Sequence, residues 1–414
     1  MVFTEEQKLV LSLLKSVFAP DASIEIPEDL DVKHLSVFSQ QQGVLSFVID
    51  QSIRRKLPIS NEWLSSWQIL EYKKALKNER MMKAQNSVIS WFEKAGISSI
   101  ILKGTSSAAY YPHPEVRSMG DIDILVERKR LEDACRIMEE NGYKQLELTH
   151  EYHVVYVNGE IFVEIHHTAS DVPDSPGGDA AKSIMEGFLT GIQRKNVLGY
   201  EIPVMAEENQ GIILMIHIER HMQQGGVGFR QLMDWAAFFS KTDRSFFTDR
   251  LLPMFDSCGL KKFALAVSKL CAVYLGVHAS DMDLFEDIDD ELCDMLMENL
   301  IRSGNMGKAE KGSLRGMFAD RDSAGSDKKH GFMRAFIKKA KVQAQRNFPA
   351  AKKLPFLLPV FIAYLLIRYK VRMLVGLRPK VSVKSMVSSA RENADLYQAL
   401  ELYEIPKKKK EMKK

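Results

Sequence analysis

Two carboxylates one residue apart, Asp121 and Asp123, sit in an otherwise apolar run, MGDIDILV. If that run is a strand, its side chains alternate. Asp121, Asp123 and Leu125 then share one face, and Ile122 and Ile124 the other. The two acids stand about 7 Å apart at the backbone. Each raises the proton affinity of the other unless a cation lies between them, and burying them unpaired is costly. A hard divalent ion resolves the conflict. Mg²⁺ (or Mn²⁺) takes oxygen ligands, commonly a few carboxylates plus the phosphates of a substrate. By itself an Asp-x-Asp pair reads more readily as a strand end with solvated aspartates, so the neighbours matter.

Those neighbours supply the rest of a site. A turn, Lys103-Gly104-Thr105-Ser106, follows one apolar run and precedes the acids. It opens a short helix, and amides at such a start attract anions. A third acid, Glu164, lies in a later apolar run, IFVEIHH. Three carboxylates on adjacent strands beside a phosphate-binding turn make a site for a metal-bound nucleoside triphosphate. Lys103 is either a phosphate contact or a surface cation at a strand end. Arg117, four residues before Asp121, is either a bidentate phosphate clamp or the partner of a structural ion pair. His166 either lines the site or is a satisfied structural histidine. His217 and His221 are four residues apart on IILMIHIERHM, which sets both on one helical face. Two histidines alone are a weak zinc signal, and a core or substrate-pocket role is the better reading.

Other motifs are excluded. His150-Glu151-Tyr152-His153 is one residue short of the zinc-protease spacing and reads as a strand, not a helix. Gly225-Gly226-Val227-Gly228 has no strand before it and fails at the third glycine.

The elements that must position these residues show as changes of period. Residues 1–90 form an N-terminal helical region, with Leu9, Leu13, Leu14 and Val17 at helical spacing and a long pattern over about 62–92. Residues 91–170 form an α/β core. Strands are predicted at 98–102, 122–126, 152–157 and 161–166, with helices at 105–111 and 128–141. Asn158-Gly159 is a strong hairpin signal. Residues 171–300 read as a helical domain. Residues 301–333, rich in Gly, Ser and charge, read as a flexible linker or loop, and 334–414 as a basic helical region with a lysine-rich tail. The fold class is α/β (α+β): a mixed sheet with flanking helices plus additional helical regions.

The chain has 414 residues and a net charge of only +3, so no global field demands nucleic acid or membrane. Basic charge is local, as in the terminal KKKKEMKK, which reads as a solvated tail. That tail is the one nucleic-acid signal. Four cysteines, none in a Cys-x-x-Cys pair, write neither a zinc ribbon nor a disulfide framework. The N-terminus carries acids and no basic leader, so it reads as an amphipathic helix and the location as cytoplasmic. The apolar run Leu354–Ile367 falls short of the ~20 residues of a spanning helix. With the basic residues after it, peripheral membrane contact through 354–372 is the alternative use.

The order of strand, glycine turn, helix, Asp-x-Asp strand and later acidic strand resembles the nucleotidyltransferase superfamily that includes DNA polymerase β and kanamycin nucleotidyltransferase. More narrowly, LKG, YP, RSMGDID, LV and VEIHH resemble a bacterial group of uncharacterised nucleotidyltransferases. The likeness is firm over about 85–170 and looser to about 240. It implies a nucleotidyltransferase-like fold. It also implies a Mg²⁺-dependent transfer of a nucleotidyl group from a nucleoside triphosphate to a hydroxyl acceptor. Asp121, Asp123 and Glu164 would hold metal, and Lys103, Gly104, Thr105, Ser106 and Arg117 would meet phosphates. His166, His217, His221, Arg230 and Asp234 are the implied substrate pocket. Two departures stand out. Fifteen residues separate Thr105 from Asp121 where most members have a short gap, and the third acid is Glu rather than Asp. The alternatives are a nucleotide-binding or antitoxin-like regulator without turnover, and an accessory protein of a polysaccharide or peptide-modifying pathway.

Overall fold

The computed structural model describes residues 2–146, 152–224, 226–305, 355–374 and 393–405, with 341, 344 and 348 as isolated positions. Most of the 301–333 linker, the lysine tail, His150 and Glu151 and Gly225 lie outside the described residues.

The sheet that carries the acids has five strands in the order β1-β2-β5-β4-β3. These are β1 (Ser99–Ile101), β2 (Ile122–Val126), β3 (Lys144–Gln145), β4 (His153–Asn158) and β5 (Ile161–His166). β2 runs parallel to β5 and antiparallel to β1, and β4 is antiparallel to β5 and β3, so the sheet is mixed. Its strands are rich in Ile and Val, which suit a pleated, packed surface.

Two apolar cores lie on its two sides, and side-chain alternation assigns the residues. Ile122, Ile124, Val126, Val163, Ile165 and Tyr156 face a core shared with the second half of helix α4 (Asn61–Lys94) and with α6 (Leu131–Glu140). Ile100, Leu102 and Leu125 face the other, larger core. That core joins α1 (Glu5–Phe18), α2 (Val32–Gln41) and α3 (Leu45–Arg54) to α8 (Glu207–Gln224), α9 (Phe229–Phe239), α11 (Lys261–Leu275) and α12 (Asp290–Ser303). It also takes in Leu396, Tyr397, Leu400, Leu402 and Tyr403. The stretches 1–90 and 171–300, which read as separate helical regions, therefore share one interior.

Gln42, fully buried at the end of α2, helps join them. Its side-chain amide donates to the carbonyls of Leu300 and Ile301, and its Oε1 accepts from the Phe229 amide. Its backbone carbonyl accepts from the Arg230 amide. The start of α9, which lacks a capping side chain of the Ser or Asp type, is held by this distant glutamine instead.

α4 has 34 residues, about 51 Å at 1.5 Å per residue. Its Trp67 is buried in the helical core, and Met81, Met82, Val88, Ile89 and Phe92 in the sheet core.

Local differences from the sequence pattern have physical causes. The one or two helical turns expected over 105–111 are a single turn, α5 (Thr105–Ala108). Tyr110 and Tyr111 leave it to pack into the larger core. A hairpin absent from the sequence reading lies within 171–300: β6 (Gln193–Val197) and β7 (Tyr200–Val204). Its turn, Leu198-Gly199, has positive φ at both residues, +53° and +86°. That is the left-handed pair a two-residue hairpin turn requires.

Candidate functional site

The acids meet on the face of the sheet opposite the α4 core. In the parallel β2–β5 ladder Asp123 pairs with Glu164 and Leu125 with His166, and in the β4–β5 ladder His153 pairs with His166. Alternation puts Asp121, Asp123, Glu164, His166 and His153 on one face. One ligand oxygen from each of Asp121, Asp123 and Glu164 lies within 4.8 Å of the others. A second group, His153, Glu164 and His166, meets the same spacing and shares Glu164 with the first.

Asp123 is the buried centre. Its Oδ1 lies 3.1 Å from Lys103 Nζ and 3.0 Å from His166 Nε2, which also lies 3.1 Å from Glu164 Oε2. Burial disfavours the Asp123 charge, but Lys103 and His166 outweigh it and hold the carboxyl well below its ordinary range. Burial likewise disfavours a charged His166. The hydrogen bonds to Asp123 and Glu164 reverse that and raise its pKa.

Asp121 differs. It is exposed, and the negative charge of Asp123, then desolvation, lift its pKa to about 6, against the pull of Lys103. An acid with a raised folded pKa binds more protons folded than unfolded between ~3.9 and that value. Its contribution to stability therefore falls as pH rises through that window. We expect Asp121→Asn to flatten the metal-free stability–pH curve between the two values, read as urea midpoints at either end. An unchanged slope would show that Asp121 does not feel Asp123.

The glycine turn lies beside Asp121. Gly104 has φ +67° and ψ −105°, which a side chain would strain. Thr105 Oγ1 donates to Gln85 Oε1 of α4 at 2.8 Å, fixing the turn to that helix. Ser106 is buried, and among the described residues its hydroxyl has no partner. Such a buried group calls for a ligand or a water.

The long gap before Asp121 is an anchored loop. Asn78 of α4 donates to the Arg117 carbonyl and accepts from the Met119 amide. Arg117 itself is buried and bidentate to Asp234, with both bonds at 2.7 Å, and Tyr111 donates to the same carboxylate at 2.8 Å. This corrects the assignment of Arg117 to a phosphate. Its Nε and Nη2 donors are taken by Asp234, so it holds the loop. Asp234 likewise serves the loop: its two oxygens accept from Arg117 and Tyr111.

Arg230 lies on the other side of the same loop. Its Nη2 donates to the Ser118 carbonyl at 3.0 Å, and no carboxylate pairs with it among the described residues. Asp121 and Arg230 lie close enough for each to perturb the other electrostatically. His217 and His221 stack edge to face at 4.3 Å. Burial, reinforced for His217 by the His221 ring and for His221 by Lys103, depresses both pKa values, that of His221 to about 4. Both shifts favour the neutral ring. The structure thus brings Lys103, Gly104, Ser106, Asp121, Asp123, Glu164 and His166 together on the sheet side, with His217, His221 and Arg230 contributed by α8 and α9. His153, met in the sequence only within the rejected His150-Glu151-Tyr152-His153 motif, joins by cross-strand pairing. Its signal was its place in the strand before the Asn158-Gly159 turn.

The donor set suits a hard divalent ion: three carboxylate oxygens within reach of one another, without a thiolate.

Comparison with solved structures finds an antigenic nucleotidyltransferase-like protein from Paracoccidioides brasiliensis at 14% identity. The match covers 48% of this chain and 93% of that one, with a TM-score of 0.31. No curated protein matches. A family model described as "Uncharacterised nucleotidyltransferase" matches residues 28–276, more than half of the chain, from before α2 to the end of α11. The match includes the acid-bearing strands and the helices that supply His217, His221 and Arg230, and the protein belongs to this family of uncharacterised nucleotidyltransferases.

Proposed function

We propose that the chain transfers a nucleotidyl group from a nucleoside triphosphate to a hydroxyl acceptor, with Mg²⁺ or Mn²⁺ required. The observation that carries this reading is the convergence of Asp121, Asp123 and Glu164 beside the Gly104 turn. In the transfer, the acceptor oxygen bonds to the α-phosphorus as the bond to the bridging oxygen breaks and pyrophosphate leaves. Asp121, Asp123 and Glu164 would hold the metal. When bound, it supplies charge neutralisation and a lowered pKa at the attacking hydroxyl. The Ser106 hydroxyl and the backbone amides of the turn receive phosphate oxygens. Lys103 and Arg230 offset the remaining negative charge. His217 and His221, kept neutral, offer hydrogen bonds without adding charge.

One observation favours a second reading, a nucleotide-binding protein without turnover. Asp123 already has internal counter-ions in Lys103 and His166, so a metal ion competes with them for the carboxylate. Two measurements separate the readings. A nucleoside triphosphate with Mg²⁺ should raise the melting temperature where either alone does little. Pyrophosphate release on adding a cell extract as acceptor source should then mark turnover. A metal-dependent shift without pyrophosphate would leave the binder, and no shift with any of the four triphosphates would remove both. Lys103→Ala should weaken the metal-dependent shift by about tenfold in apparent nucleotide affinity, as expected for one charge-assisted contact.

A further inference from the structure

Helix α13 (Leu358–Leu374) follows the Pro355–Leu357 turn. Among the described side chains of 355–374, none belongs to either apolar cluster. Phe361 stacks on Phe348 at 4.7 Å, and Tyr364 meets the same ring edge-on. Beside that contact, and including Tyr364 itself, the described side chains form an exposed face. Phe356, Val360, Tyr364, Ile367 and Val371 are each half or more exposed. At 100° per residue these five fall within one quadrant, so they form a single stripe along the helix. Large apolar residues exposed in a row mark a contact surface rather than ordinary scatter.

The surrounding sequence has an unusual charge. Between Asp327 and Glu392 there are sixteen lysines and arginines and no acid. Arg368, Lys370 and Arg372 are in the helix itself. The chain as a whole is only +3, so this is a concentrated basic region in a nearly balanced protein.

We propose that α13 lies along the surface of an anionic lipid bilayer, its apolar stripe in the headgroup–acyl boundary and its basic residues among the lipid phosphates. Amphipathic anchors combine those two features. Nothing in this rests on the nucleotidyl-transfer reading. The helix does not cross the bilayer: 17 residues span about 26 Å, and its last seven residues include three cations. Among the described residues no helix is long and apolar enough to do so. A second copy of the chain is disfavoured as the occupant, because a two-fold contact would press two acid-free basic regions together. Nucleic acid would satisfy the charge but leave Val360, Ile367 and Val371 without a partner that gains from their burial.

The full-length chain is tested by co-sedimentation with vesicles of phosphatidylcholine, with and without phosphatidylserine. We expect binding to the anionic vesicles only, weakening as salt is raised. Val360→Ser, Ile367→Ser and Val371→Ser combined should weaken it at least about tenfold. The melting temperature should not change, since the three side chains touch neither core. If the triple variant fails to fold, Ile367→Glu alone gives the same reading. Arg368→Gln should cost about fivefold. The proposal is overturned if the wild type ignores anionic vesicles or binds both kinds equally. It is also overturned if the apolar variants bind as well as wild type, or if the stripe residues prove necessary for dimerisation or RNA binding instead.

Discussion

Asp123→Asn should abolish Mg²⁺-dependent nucleotide binding and, unlike Asp121→Asn, should also destabilise the metal-free protein. Asp123 is the buried acceptor for Lys103 and His166. Removing its charge leaves a lysine and a histidine facing a neutral amide. Breaking a fully buried ion pair costs about 3–5 kcal/mol. Lys103 keeps some exposure, so we expect about 2 kcal/mol here, read by urea denaturation without metal. Asp121→Asn removes the weaker-held charge of the pair and relieves repulsion, so its metal-free stability should equal or exceed wild type. Both variants should lose the Mg²⁺-dependent shift. If Asp123→Asn proves as stable as wild type, the Lys103 and His166 contacts are not a stabilising network. If it keeps the metal-dependent shift, the acids are not the metal ligands.

The second large effect lies in the loop anchor. Asp234→Ala should destabilise the fold by about 3–5 kcal/mol, since it strands the buried Arg117 guanidinium and the Tyr111 hydroxyl together. The double variant Arg117→Leu/Asp234→Leu should be less destabilised than the sum of the two single changes, because both members of the pair then leave. Additive losses, or a cost below about 1 kcal/mol for Asp234→Ala, would show that the pair does not hold the loop.

How much of this was legible in the sequence depended on the range of each interaction. The strand Ile122–Val126 and the β4–β5 hairpin are written locally, in apolar runs with an Asn-Gly turn between the latter pair, and the structure has them at the expected places. α4 shows in its long periodic pattern, and the structure starts it at the Ser60 cap. Arg117 was misassigned because its partner is 117 residues away. An arginine near two aspartates looks local until a third, distant aspartate claims it. The β6–β7 hairpin escaped notice because its strands, QRKNV and YEIPV, carry charge on the exposed side, and Leu198-Gly199 is not one of the usual turn pairs. The shared helical core was invisible for a related reason. Apolar periodicity tells which face of a helix is buried, but not which of several similar helices it meets.

That shared core bears on how the chain is made. A ribosome delivers the N-terminus first, so α1 to α3 emerge early with their apolar faces ready. Many of their partners, α8, α9, α11 and α12, follow only after residue 206. The sheet unit closes over a much shorter stretch, from α4 to β5, apart from the later hairpin β6–β7. Short-range contacts form sooner than long-range ones. The acid-bearing half of the site can therefore take shape while the half bearing His217, His221 and Arg230 is still being synthesised. The last contributors come at the end of the described chain. Tyr397 donates to the Met222 carbonyl, Tyr403 to Glu219 of α8, and the Tyr403 amide to the Gly259 carbonyl. Nascent chains that stop short of residue 403 carry an open seam beside α8, the helix that bears two of the site's histidines.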